Sequence, residues 1–409
     1  MIGGNLRVAF FPDAYHEVDG VANTSRHFEA FAVRNHLPFL TICGGSKDSV
    51  ETEGTITRLE RRRGRIGFAL DKKHDFDLAF WRHYGAVESA VRDFAPDVVH
   101  ITGPSDVGQL GALIAHRLRL PLAASWHTNL HQYAQQRALR MLPFLPAGIK
   151  RRAGSAIRGA TLRATLRFYQ IARVLFAPNQ ELMEVLERGT GKPCYPMQRG
   201  VDSNLFHPRR RNRKGDELVL GYVGRLSTEK NVRFLAELER ELLQGGLSNF
   251  RFLIVGQGAD EPWLKANLQR VDFTGVLKGD ALAQAYANMD VFVFPSLTDT
   301  YGNVVVEALA SGVPAVVTDE GGPQFLVRSG KTGYVARNLA EFTSCIRQMS
   351  QRPEQLSAMR IAARNWAVGA SWDRVFESVY ASYEHGLNRG GVGSKIGVHP
   401  RVRAATPLG

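Results

Sequence analysis

The sequence predicts two α/β domains, each built on a buried parallel sheet. Short apolar runs bounded by glycine, proline or aspartate alternate with longer stretches of helical period, the texture of repeated βα units. Ten such runs read as strands, too many for one small module. A charged, proline-led segment divides them five and five.

Taken in order, the first five strands are expected at residues 6–11, 38–43, 98–101, 122–126 and 174–177. Residues 208–217 (PRRRNRKGDE) offer nothing to bury and read as a linker. The second five strands are expected at 218–223, 251–255, 271–274, 291–295 and 315–317. The domains are therefore placed at 1–207 and 218–370. Residues 371–387 follow a Ser371 cap with an apolar face of period 3.6 and should form a helix. The glycine-, proline- and arginine-rich residues 388–409 lack periodicity and read as a mobile tail.

Composition sets the outer bounds. The 409 residues are 44% hydrophobic and 22% charged, which excludes wholesale disorder and supplies a core for each half. No apolar run approaches the roughly 18 to 20 residues that cross a bilayer, and residues 1–11 lack a signal-peptide pattern. A cytoplasmic protein is expected, at most peripheral on the inner face of the cytoplasmic membrane. Cys43, Cys194 and Cys345 are far apart in the chain and form no disulfide or zinc pattern.

The net charge of +13 is the abnormal entry in the composition and points to an anionic partner. It is unevenly spread: between Val107 and Gln180 there is no acidic residue, while eleven lysines and arginines fall there. From Arg137 to Arg173 these cations are interspersed with Leu139, Met141, Phe144, Ile157, Leu162, Leu166 and Phe168, a mixture suited to basic amphipathic helices on an anionic membrane. The alternatives are a solvated helix face and, more remotely, a nucleic-acid surface. No aromatic-interleaved stacking surface accompanies the charge, so no nucleic acid is expected.

In open parallel sheets, ligands sit beyond the carboxyl ends of the strands, so the strand-to-helix loops should carry the chemistry. Arg225 and Lys230 follow the strand at 218–223, with Glu229 and Lys230 expected to open a helix whose N-terminus favours a diphosphate. The strand at 251–255 runs into Gly256 and Gly258, a weak phosphate-loop signal that a tight turn explains better when taken alone and that gains weight only from its neighbours. The richest segment, residues 291–318, carries Asp299, Thr300, Gly302, Asn303 and Val304 in a loop leading to a helix with Glu307. There, one carboxylate and several amides can face a sugar nucleotide while Glu307 reaches a ribose diol. Glu307 otherwise lies in an apolar run, where an unpaired carboxylate is costly. In the first half, Asp19 and Gly20 precede a helix, His127 ends a strand, and Arg199 and Asp202 approach the linker.

Together these segments resemble the retaining glycosyltransferase family 4 of the GT-B superfamily, nearly end to end. The resemblance rests on Asp19-Gly20-Val21, the run from Pro96 to His100, His127-Thr128, Arg199-Gly-Val-Asp202 with Phe206 and Pro208, Gly224-Arg225 with Glu229-Lys230, and the acidic pair Asp299 and Glu307. It implies two Rossmann-like domains facing a cleft, with the last helix, around Trp372, crossing back to the N-terminal domain. It implies a hexosyltransferase moving a hexose from a UDP- or GDP-sugar, with UDP the default on family breadth, to an acceptor hydroxyl; if the basic stretch docks on a membrane, that acceptor is expected to be a lipid or lipid-linked glycan. The catalytic set would be Arg225, Lys230, His127 and Asp299. The donor would be held by Gly20, Gly224, Gly256, Gly258, Thr300, Gly302, Asn303, Val304 and Glu307. Asp19, Asn129, Tyr133, Arg199 and Asp202 would line the acceptor side or cleft edge.

The resemblance implies no cofactor and no metal, because fixed cations would neutralise the leaving diphosphate. This chain departs from the family in having Asp299 where glutamate is common, and Asp19 where a second glycine is frequent. Another GT-B enzyme, such as a sugar-nucleotide epimerase or a glucan synthase, is the nearest alternative. Asp75-Phe-Asp77 imitates a metal-binding pair but is expected on a solvated helical face. Residues 329–333 (SGKTG) imitate a phosphate loop, yet Phe325 occupies the position of its first glycine.

Overall fold

A computed structural model describes residues 6–17, 20–64, 67–71, 74–77, 79–127 and 147–388. The first half contains β1 (Val8–Phe11), β2 (Phe39–Gly45), β3 (Ser49–Glu53), β4 (Ile56–Arg62), β5 (Gly67–Asp71), β6 (His74–Asp77), β7 (Val98–Ile101), β8 (Leu122–Ser125), β9 (Val174–Ala177) and β10 (Cys194–Pro196). Eight of these form one sheet in the order β10-β9-β8-β7-β1-β2-β4-β3, parallel throughout except for the β3–β4 pair. Strands β5 and β6 form a separate antiparallel hairpin. The central strands are buried along their whole length, as a sheet covered on both faces requires. Five helices accompany them among the described residues: α1 (Gly20–Arg34), α2 (Tyr84–Phe94), α3 (Asp106–Arg117), α4 (Ala147–Tyr169) and α5 (Gln180–Thr190).

The second half is a six-stranded, fully parallel sheet in the order β13-β12-β11-β14-β15-β16. Its strands are β11 (Leu218–Val223), β12 (Phe250–Val255), β13 (Val271–Gly275), β14 (Val291–Phe294), β15 (Ala315–Thr318) and β16 (Gly333–Ala336). The accompanying helices are α6 (Phe234–Gln244), α7 (Glu261–Asn267), α8 (Gly279–Ala287), α9 (Asn303–Ala310), α10 (Leu339–Gln351) and α11 (Pro353–Val368).

All ten strands expected from the apolar runs are present. Six others were not expected, for a common physical reason: they lie at or near sheet edges or in a hairpin. Strand β3 (SVETE) is exposed along most of its length, and β10 is three residues long. Edge strands need no continuous apolar run, so composition does not mark them.

The last helix, α12 (Trp372–Asn388), leaves the second half and packs on α1 of the first. Phe376 stacks on Phe28 at 4.6 Å and Trp372 on His27 at 4.4 Å. Phe376, Val379, Tyr380 and Tyr383 are fully buried in one cluster with Phe10, Phe39 and Phe176 of the first sheet. The chain is thus closed by burial of an aromatic seam rather than by a linker alone.

Two sequence expectations need correction. Residues 208–217 are not a segment without partners: Arg211 and Arg213 pair with Asp290 at 2.8 and 2.5 Å, and Arg360 joins them at 3.3 Å. Asp290 is buried and also accepts from the Val219 amide, so the segment is pinned to β11. The expected helical, solvated stretch around Asp77 is the strand β6, and Asp77 is buried. Its carboxylate accepts from the Gly64 and Ala79 amides and from Arg82, a structural use in place of metal binding.

Candidate functional site

Each expected loop leaves the carboxyl end of a parallel strand. After β11, Gly224 adopts φ +153° and Arg225 follows. The chain then makes one 3-10 turn, Thr228–Lys230, and Asn231 at φ +53° ends it before α6 begins at Phe234. Glu229 and Lys230 therefore do not open an α-helix, and the anion-favouring charge here comes from the side chains. Arg225 is ion-paired with Glu229 at 3.5 Å and remains about half exposed.

Gly256 and Gly258, after β12, support this turn. A Cβ on Gly256 would lie 1.9 Å from the Gly224 carbonyl oxygen, and one on Gly258 2.1 Å from that of Leu226. Their smallness lets two backbone loops touch, which is the tight-turn role.

The loop after β14 brings the acidic partner. Lys230 Nζ donates to Asp299 Oδ1 at 2.6 Å, with both side chains mostly buried. Burial alone would raise the Asp299 carboxyl, but the adjacent Lys230 charge and hydrogen bond outweigh it and hold the group below its ordinary range. Asp299 Oδ2 is buried beside the Ser296 hydroxyl, which also favours the ionised carboxylate. Gly302 at φ +101° turns the chain into α9, whose first turn carries no acidic residue. The amides of Asn303 and Val304 lie at that end.

Glu307, on α9, is only partly exposed, and it has a partner that the sequence did not reveal: Tyr286 OH donates to its Oε2 at 2.7 Å. Burial still pushes the carboxyl up, to about 7, against the opposing hydrogen bond. The other carboxylate oxygen remains for a second donor.

The two halves meet at this edge. Thr300 Oγ1 donates to the His127 carbonyl at 3.1 Å, Asn179 Nδ2 to the Thr300 carbonyl at 2.6 Å, and Tyr301 OH to the Arg199 carbonyl at 2.9 Å. Arg199 is buried and donates to the Gly20 carbonyl and to Thr24 Oγ1. A Cβ on Gly20 would lie 2.8 Å from Arg199 Nη1 and 3.3 Å from Asn303 Nδ2, so the first turns of α1 and α9 approach each other there. Asp202 instead accepts from the Asn204 and Leu205 amides in its own exposed turn. Asp19, Asn129 and Tyr133 lie outside the described residues. Asn179, Tyr286 and Tyr301 carry no sequence signal that would have singled them out. Among the described residues, no group of three or more His, Cys, Asp or Glu could hold a metal ion.

The basic stretch is described only from residue 147 onward. Arg152, Arg158, Arg163 and Arg167 of α4 are exposed, whereas Leu162, Leu166 and Phe168 pack against the core of the first half. These three are partly buried there, so this side of α4 packs on protein, whereas Ile171, just after the helix, is exposed. No described helix is long and apolar enough to cross a membrane.

Residues 12–223 match the family model described as Glycosyltransferase Family 4, and residues 217–352 that described as Glycosyl transferases group 1. The chain is 32% identical over 303 residues to the GDP-mannose-dependent alpha-mannosyltransferase of Mycobacterium tuberculosis, covering 72% of this chain and 74% of that protein. It is 25% identical to the alpha-monoglucosyldiacylglycerol synthase of Acholeplasma laidlawii, over 87% and 90% of the respective lengths. Among solved structures, sucrose-phosphate synthase from Thermosynechococcus elongatus superposes with a TM-score of 0.71 at 17% identity, over 94% of this chain and all of that one. That likeness shows the GT-B fold.

Proposed function

We infer, from the premise that this chain belongs to glycosyltransferase family 4 and is a glycosyltransferase, that it moves a hexose from a nucleoside-diphosphate sugar to an acceptor hydroxyl with retention at the anomeric carbon. The observation that carries this reading is the Lys230–Asp299 pair in the loops leading toward α6 and α9, with Glu307 on α9. The second half would take the donor and the first half the acceptor. GDP-mannose is the preferred donor, on the strength of the mycobacterial relative, and displaces the UDP default.

In this mechanism Arg225 and Lys230 neutralise the charge that develops on the diphosphate as the glycosidic bond breaks. The amides at the start of α9 and the close approach allowed by Gly20 add stabilisation of the phosphates. The Asp299 carboxylate accepts from a hydroxyl of the sugar, His127 contacts the sugar from the other half, and Glu307 accepts from the ribose diol. The leaving phosphate takes the acceptor proton, so attack occurs on the face the nucleotide leaves. No metal is required in this scheme.

The acceptor is a lipid or lipid-linked glycan, a reading favoured by the Acholeplasma relative and by the exposed arginines of α4. Binding to the membrane would be electrostatic over the described part of the stretch. The test is a thermal-shift panel of GDP- and UDP-sugars followed by transfer in EDTA. Stabilisation by GDP-mannose, EDTA-insensitive turnover and an α-linked product support the reading. Inversion, or no response to any nucleotide sugar, excludes it.

A further inference from the structure

Tyr286 and Glu307 stand on different helices, α8 and α9, and a single hydrogen bond joins their side chains: the phenol donates to Glu307 Oε2 at 2.7 Å. The phenol is held by its own packing. Tyr286 is fully buried, with Phe206 edge-on to its ring at 5.6 Å and Phe292 of β14 tilted against it at 5.8 Å. Burial, followed by the Glu307 charge, keeps the hydroxyl protonated, so it donates and the carboxylate accepts.

The same bond bears on the charge of Glu307. Burial raises this carboxyl and the phenol opposes the rise. Other charged groups on the elements packed against α9 are committed or turned to solvent. Strands β14 and β15 carry no ionisable side chain. On α8, Asp280 pairs with Arg210. On α11, Glu354 is exposed, Arg360 pairs with Asp290, and Arg364 donates to the carbonyls of Phe206 and Ala310. In the loops of the site, Arg225 pairs with Glu229 and Lys230 with Asp299. Among the described residues, Tyr286 is thus the ionisable group in contact with the Glu307 carboxylate.

We propose that Tyr286 is a positioning residue for donor binding: its hydroxyl pins one oxygen of Glu307 against α8, turns the other to the ribose, and keeps the carboxylate in its ionised, accepting form. The proposal rests on the reading of Glu307 as the ribose contact. It gives a buried aromatic, which touches no substrate, control over the pH range in which the donor is held.

The test uses the full chain labelled with carbon-13 at the glutamate carboxyls, titrated without nucleotide, with the Glu307 signal assigned by its loss in Glu307→Gln. Tyr286→Phe keeps the ring and removes the hydroxyl. The Glu307 midpoint should rise by about one to two pH units, the worth of one hydrogen bond to a charged group. In calorimetry, the pH midpoint of GDP affinity should rise with it, so that binding at pH 8 weakens several-fold and the gap to wild type narrows as pH rises. Fluorotyrosine placed at residue 286 has a more acidic hydroxyl and should move the midpoint the other way, which keeps the proposal testable if the phenylalanine variant does not fold. An unmoved Glu307 midpoint, with or without a loss of stability, overturns the proposal. So does a moved titration in a variant whose GDP affinity keeps the wild-type pH dependence. GDP affinity that ignores pH in wild type sinks the ribose reading of Glu307 and the proposal with it, and the nucleotide-free titration separates that case from a failed pairing.

Discussion

Lys230 and Asp299 meet at 2.6 Å although 69 residues separate them in sequence. The contact exists because β11 and β14 are neighbours in the second sheet, so the loops leaving their carboxyl ends lie side by side. The cation proposed to meet the diphosphate and the carboxylate proposed to meet a sugar hydroxyl are thereby held within one hydrogen bond.

Lys230→Ala should abolish transfer and also destabilise the fold, since it strands the Asp299 carboxylate in a largely buried setting. The expected loss is about 1–3 kcal/mol, measured by urea unfolding at pH 7. The sign with pH follows from the depressed carboxyl. In wild type the contribution of the pair is present above the ordinary aspartate value of 3.8 and is lost as acid protonates Asp299 below it. The wild-type and Lys230→Ala stabilities should therefore converge as pH falls below that value. A constant gap between them down to pH 2 would argue against the pairing.

Glu307 should make donor binding pH-dependent. Burial pushes its carboxyl up to about 7, and in the proposed function the ionised form is the one that accepts ribose hydroxyls. Nucleotide affinity should fall by about tenfold per pH unit once the pH is well below 7. Glu307→Gln should bind more weakly at pH 8 and lose this slope. Folding stability should move the opposite way in wild type, decreasing as pH rises from about 4.5 to 7, because the unfolded chain releases that proton first. Calorimetric titration from pH 5.5 to 8.5 reads the first effect and thermal melting the second.

Gly20→Ala should impair the donor site with little global effect. The new methyl would sit 2.8 Å from Arg199 Nη1 and 3.3 Å from Asn303 Nδ2, displacing the guanidinium that holds the Gly20 carbonyl and the Asn303 side chain at the start of α9. Misplacement of that order costs catalysis on the order of 100-fold. Unchanged kcat/KM would show that the placement of Arg199 and Asn303 around Gly20 does not matter for transfer.

Phe376→Ala tests whether α12 is integral to the first half. The ring is fully buried against Phe28 and Phe31, so its removal should cost about 3–5 kcal/mol. A loss below 1 kcal/mol in denaturant unfolding would mean that the helix docks only loosely.

Membrane binding through α4 should be electrostatic. Replacing Arg152, Arg163 and Arg167 with glutamate should reduce cosedimentation with anionic vesicles and leave stability intact, since all three side chains are exposed. Added salt should have the same effect. Equal binding to neutral and anionic vesicles, or none to either, would remove the membrane from the functional reading.

The pieces of the site that were legible in the sequence are those where backbone chemistry dictates residue type. Gly224, Gly256 and Gly302 occupy positive φ, and the apolar runs before them are strands in a covered sheet. The charged residues in those loops, Arg225, Lys230 and Asp299, stand out because they follow apolar runs. What was not legible depends on contacts between distant segments. Tyr286 looks like any helix aromatic until α8 and α9 pack and its hydroxyl meets Glu307. Glu307 is thus already paired within the fold, by a partner from another helix.

The sequence by itself determined the two sheets, the positions of their central strands along the chain and the residues available for diphosphate chemistry. It did so because strand burial and tight turns constrain residue type locally. The tertiary structure alone decided which charges are spent on the fold, as with the arginines around Asp290, and which face the cleft. It also decided that Leu162, Leu166 and Phe168 of α4 pack on protein and that Tyr286 reaches Glu307. Those outcomes depend on which side chains meet when separate segments pack, and a hydroxyl or guanidinium carries no local mark of the partner it will find.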